Sequence, residues 1–162
     1  MFRRKGRHYV ARFDPHEARV LRQCVASMAA LLTDLDREDP AVARLFPDVY
    51  PWDQEQAEEF RRYTEDDLKS AKLEQARVVL ADLLETGGEV RLDDAAADVW
   101  LRALTDVRLT LGQRLGVADE TDIESELDEA VLADPTSVRV GQLSVYGYLS
   151  LLQESLLDAL TR

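Results

Sequence analysis

The chain has 162 residues, 46% hydrophobic and 32% charged, and 32 acidic residues against 20 Lys and Arg set a net charge of −12. That length supports a sizeable core in one domain over 1–162, and the charge argues against general, high-affinity nucleic-acid binding, which needs clustered lysine and arginine. No apolar run approaches the ~18 residues of a membrane span, so no membrane partner is expected. The basic start MFRRKGRHYVARF lacks the apolar block of a secretory signal, and a single cysteine excludes an internal disulfide. A cytoplasmic location is the expectation.

Phe2 to Phe13 reads as a β-hairpin, giving a hairpin over 1–13 and a helical body over 14–162. Gly6 supplies the turn, and Tyr9, Ala11 and Phe13 alternate with Val10 and Arg12. Asp14-Pro-His-Glu opens a first helix with a capping box; its stripe is Val20, Leu21, Cys24, Val25, Met28, Leu31, Leu32 and Leu35. Asp39-Pro40 starts a short helix over 41–46, and Pro47 stops it. The stretch around Phe46, Val49, Tyr50 and Trp52 is rich in large apolar groups, which either pack down or form a docking surface. From Asp53 to about Glu85 the chain is helix-forming, with Thr64 as a candidate second N-cap, so a kink or two helices are expected. A short extended segment over 89–92 is placed to join the hairpin. The overall expectation is mainly α: a helical bundle with a small N-terminal hairpin or sheet.

Leu92 to Val117 carries the longest amphipathic pattern. Apolar groups at Ala96, Val99, Trp100, Ala103, Leu104, Val107, Leu111 and Leu115 make one broad stripe. Asp93 caps it and Gly116 stops it. Arg114 projects onto that stripe and Leu109 projects away from it, so the helix is expected to be central and covered on more than one side. Trp100, Asp106, Arg108 and Arg114 are its candidate structural residues. Arg114 is expected to lay its stem over the core with a carboxylate or carbonyl partner. Its removal would then cost ~3–5 kcal/mol, less if the site is wet. Beyond it, Thr121-Asp-Ile-Glu reads as the capping box of a short acidic helix with Ile123, Leu127, Ala130 and Val131 inward. A last helix runs from about Gln142, or somewhat earlier, to Leu160.

The run from Trp100 to Val117, WLRALTDVRLTLGQRLGV, resembles the signature of an actinobacterial domain-of-unknown-function family that includes AosR, actinomycete oxidative-stress regulator. Arg44-Leu-Phe-Pro-Asp-Val-Tyr with Phe60-Arg-Arg-Tyr, and Tyr148-Leu-Ser-Leu-Leu-Gln-Glu-Ser-Leu, resemble it too, so the likeness covers most of the chain. The resemblance implies transcriptional control through a sigma-factor partner, and redox sensing through two cysteines separated by three residues. This chain departs from that pattern, because Val20 and Met28 stand four residues either side of Cys24. On an apolar stripe, Cys24 is expected to be an inert thiol with a raised pKa.

No catalytic set is evident. His8 and His16 are the only imidazoles, and neither sits in a triad segment. His8, His16 and Cys24 match no metal-ligand spacing, and no phosphate loop is present. The expected function is therefore non-catalytic: a regulatory protein acting on a protein partner, with no metal and no cofactor. Two charge blocks stand out. Arg3, Arg4, Lys5, Arg7 and Arg12 form a basic arm, whereas 119–134 is acidic without a base. Each is either solvated surface or an interface. Glu124, Glu126 and Asp128, with Phe46, Tyr50 and Trp52, are the candidate partner surface. The alternatives are an adaptor or scaffold in protein turnover, and an enzyme or small-ligand binder using Arg108 and Arg114 with Asp106. The last is weakened because Asp106 and Arg114 diverge in helical angle. The oligomeric state is left open, a homodimer included.

Overall fold

Aspartate sets most of the helix starts. In the computed structural model, which describes residues 1–47 and 52–162, six helices are α1 (Pro15–Asp34), α2 (Pro40–Leu45), α3 (Gln54–Asp82), α4 (Asp94–Leu115), α5 (Ile123–Ala133) and α6 (Val138–Thr161). Asp14, Asp39, Asp53, Asp93 and Asp122 cap the first five, and Ser137 caps the sixth. Each side chain accepts a backbone N–H that the first turn leaves without a helical partner. Asp14 and Glu17 complete the expected capping box.

Two local expectations are corrected. The cap of α5 is Asp122, not Thr121: its carboxylate accepts from the N–H groups of Glu124 and Ser125. Thr121 instead accepts from the Ala118 N–H, closing the turn before the helix. A carboxylate serves two donors and matches the helix dipole, so it displaces the neighbouring hydroxyl. At Thr64, α3 runs on without a second cap. The Thr64 hydroxyl donates to the Phe60 carbonyl four residues back and stays inside the helix.

Three strands, β1 (Arg3–Lys5), β2 (His8–Phe13) and β3 (Gly88–Leu92), form an antiparallel sheet in the order β1-β2-β3. The segment over 89–92 thus joins the hairpin, with Ala11 opposite Val90 and Tyr9 opposite Leu92. Tyr9, Ala11 and Phe13 are buried, as alternation requires. Val10 is buried as well, although Arg12 on the same face is exposed. Val10 lies between Arg3 and Arg91 across the ladder, where the arginine stems can cover it.

The core gathers around α4, which packs against α1, α2, α3, α6 and the sheet. Trp100 is fully buried at its centre, with Phe2 edge-on at 5.5 Å and Phe13 stacked at 6.2 Å. The first strand is also tied to the last helix, because the Phe2 N–H donates to the Ser155 hydroxyl at 2.9 Å. Arg22 of α1 donates to the carbonyls of Leu80 and Leu83, closing the C-terminal end of α3. Helix α4 itself packs against both α1 and α6.

Candidate interaction surfaces and the groove beside Cys24

The polar residues of α4 face three different elements. Trp100 donates its indole N–H to Asp82 on α3 at 2.9 Å. Asp106 is buried and accepts from Lys72 of α3 at 2.7 Å, while its second oxygen is buried without a hydrogen bond. Burial raises the Asp106 carboxyl above its ordinary value, and Lys72 pulls it part of the way back. Arg108 faces α6, donating to Ser150 at 3.1 Å and Gln153 at 2.5 Å, with its guanidinium carbon 5.4 Å from the Tyr146 ring centre. Gln153 in turn donates to Thr105 at 2.7 Å. Asp106, Arg108 and Arg114 therefore do not converge on one site. Lys72 and Gln153 escaped sequence reasoning, since no local spacing links them to residues 34 and 45 positions away.

Arg114 departs from its expected setting. Its side chain is 52% exposed, and its carboxylate contact, Asp39 at the start of α2, is 3.8 Å away. Asp39 already accepts from the Ala41 N–H. The residue sits at the rim of a groove of about 400 Å³ between α1, α4 and α6. Cys24, Met28 and Leu31 line one wall, Val107 and Leu111 the second, and Gly141 with Val145 the third. Cys24 is half-buried there, and burial pushes its thiol pKa up. A raised pKa leaves less thiolate at neutral pH and slows oxidation and alkylation. The sequence pointed to Cys24 and Arg114 separately, but not to the shared groove.

The surface charges separate as the sequence suggested. Arg3, Arg4, Lys5, Arg7 and Arg12 are all exposed along the sheet. Helix α5 contributes no buried residue, and Glu124, Asp128 and Glu129 are exposed. Glu126 is different: it is partly buried and pairs with Arg139 of α6 at 3.1 Å, so the acidic block does meet a base. Val131, expected inward, is 40% exposed, and Leu132 beside it is 86% exposed. Phe46 is partly buried and packed against the core, whereas Trp52 is 78% exposed. Tyr50 and its neighbours Val49 and Pro51 lie outside the described residues.

These features define a mainly helical protein with a three-stranded antiparallel sheet, an exposed acidic helix and a groove holding its one thiol. Among the described residues no helix is long and apolar enough to cross a membrane. The chain belongs to the family described as Domain of unknown function (DUF2017), whose model matches residues 1–160. It is 31% identical to a protein of Mycobacterium leprae named putative oxidative stress regulator AosR, over 90% of this chain and 79% of that one. It is 26% identical to the proteins of Mycobacterium bovis and Mycobacterium tuberculosis named oxidative stress regulator AosR, over 94% of this chain and 82% of each. No solved structure matches the chain. The family resemblance carried by the Trp100 to Val117 run therefore holds, and the names of the relatives support a regulatory role.

Proposed function

We propose that this protein is a non-catalytic cytoplasmic regulator that acts by binding a protein partner, a sigma factor, through the acidic helix α5. The observation that carries the reading is that α5 buries no residue of its own. A helix that packs on α6 with Ile123, Leu127 and Ala130 only partly buried, yet displays Glu124, Asp128, Glu129 and the apolar pair Val131 and Leu132, is available for a partner. Its charge would steer a basic partner chiefly through the association rate. Relatives named oxidative stress regulators support the regulatory part of the reading. The single cysteine places one limit on it, since any redox response of this chain cannot run through an internal disulfide.

The test is a pull-down from native cells, with and without oxidant, followed by association kinetics with the partner recovered. Glu124→Lys with Asp128→Lys should slow association and steepen no other property; Glu126 is left intact because it pairs with Arg139. Recovery of a protease or its chaperone in place of a sigma factor would select a role in protein turnover. Association indifferent to the double reversal and to ionic strength would refute α5 as the contact.

A further inference from the structure

The groove between α1, α4 and α6 has no part in the proposed α5 contact, and its lining is chemically selective. It is mostly apolar, and its volume of about 400 Å³ lies within the size range of small-molecule sites. At ~30 Å³ for each water-sized group, about a dozen non-hydrogen atoms would fill it. In a chain with 32 acidic residues, no Asp or Glu is among the described lining residues, and the one charged group is Arg114.

Two further observations favour a ligand over an incidental crevice. Arg108, six residues earlier on the same helix, commits its guanidinium to Ser150 and Gln153. Among the described residues the Arg114 guanidinium makes one ionic contact, at 3.8 Å and longer than a hydrogen bond, so its donors can still take a carboxylate. The opposite wall is left open by Gly141, an exposed residue in the first turn of α6, where an added Cβ would meet nothing within 4 Å.

We propose that this groove binds a small apolar monocarboxylate, with its hydrocarbon along Met28, Leu31, Val107 and Leu111 and its carboxylate on the Arg114 guanidinium. A protein helix, which would spread several apolar anchors along the groove and has no need of the Arg114 charge, is the competing occupant that the test separates. A bound chain would also cover Cys24, so occupancy and thiol accessibility are coupled.

Decanoate is the probe, below its micelle-forming concentration, with decan-1-ol as the uncharged counterpart. Binding is followed by calorimetry and by the rate at which iodoacetamide alkylates Cys24 in the native full-length chain. Decanoate should bind and slow alkylation. Decan-1-ol should bind about tenfold more weakly or worse, the effect of a charge-assisted hydrogen bond. Arg114→Gln should remove the difference between the two probes. Gly141→Leu should fill the groove and abolish binding of both, with an unchanged or slightly raised melting temperature as proof of folding. The proposal is overturned if decanoate does not bind, if both probes bind equally to the unaltered protein, or if Gly141→Leu binds decanoate normally. It is also overturned if Gly141→Leu loses a protein partner while decanoate fails to bind, which would make the groove a protein-docking face. The α5 double reversal leaves the groove untouched, so the two proposals fail separately.

Discussion

Helices α4 and α5 both begin on an aspartate cap with acidic residues in the first turn, yet they treat the rest of their charge in opposite ways. On α4, Asp106 and Arg108 are engaged with Lys72 and with Ser150 and Gln153, from α3 and α6. On α5, Asp128 and Glu129 are exposed, and Glu126 alone reaches across to Arg139. Charge on a buried helix has to be paired, because desolvation is costly. Charge on an exposed helix carries no such demand and can serve a partner. Arg114, at the last turn of α4, belongs by its exposure with the second group although it lies on the first helix.

The sharpest break in this contrast lies at Trp100. Trp100→Ala should destabilise the protein by ~3–5 kcal/mol in denaturant melts, from the cavity it leaves among Phe2, Phe13 and the helices. A loss under ~1 kcal/mol would show that α4 is not the centre of the core.

Lys72→Met tests the buried pair. It keeps most of the packing and strands Asp106, so a loss of ~2–3 kcal/mol near pH 7 is expected, below that of a fully buried pair. Burial already raises the Asp106 carboxyl, so the fold favours its protonated form. Stability from that preference is complete below the unfolded-state pKa and is lost as pH rises through the folded one. Without Lys72 the folded pKa climbs further. The gap between variant and parent should therefore narrow as pH falls toward ~4, the ordinary carboxylate range. A penalty independent of pH would mean that Asp106 is not the group left uncompensated.

Arg114→Ala should cost under ~1 kcal/mol, as exposed ion pairs do, in contrast to the larger loss that a position among apolar residues suggests. The smallest effect is expected on α5. Glu124→Lys with Asp128→Lys should change stability by no more than ~0.5 kcal/mol, because both positions are exposed and hold no core contact. A large loss there would place α5 with α4 as a structural helix and remove the argument for a partner surface.

Much of the fold was legible because its signals are local. Asp14 with Glu17, Asp39 with Pro40, and Asp93 with Gly116 mark helix boundaries through bonds spanning a few residues, and such bonds follow from spacing alone. The stripe on α4 identified Trp100 as core for the same reason. The family was also readable, because its motifs are runs of residue identity. Where two caps competed, at Thr121 and Asp122, sequence favoured the wrong one, because both patterns are permitted and only the formed turn selects between them.

What the sequence by itself determined, then, is where most helices start and stop, the extended character of 89–92, and the division into a basic arm and an acidic helix, whereas the pairing of 89–92 with the hairpin and the continuity of α3 came with the tertiary structure. Local spacing set pairs such as Asp98 with Arg102, but tertiary structure decided which charges are engaged between elements and which are available. Lys72 finds Asp106 across 34 positions, and Gln153 finds Arg108 across 45. Helical angle placed Arg114 on the apolar stripe, but at the end of α4 that stripe opens into the groove, leaving the guanidinium half in solvent. Angle is fixed by a period of 3.6 residues; cover is fixed by the neighbours that pack there, and no local spacing encodes them.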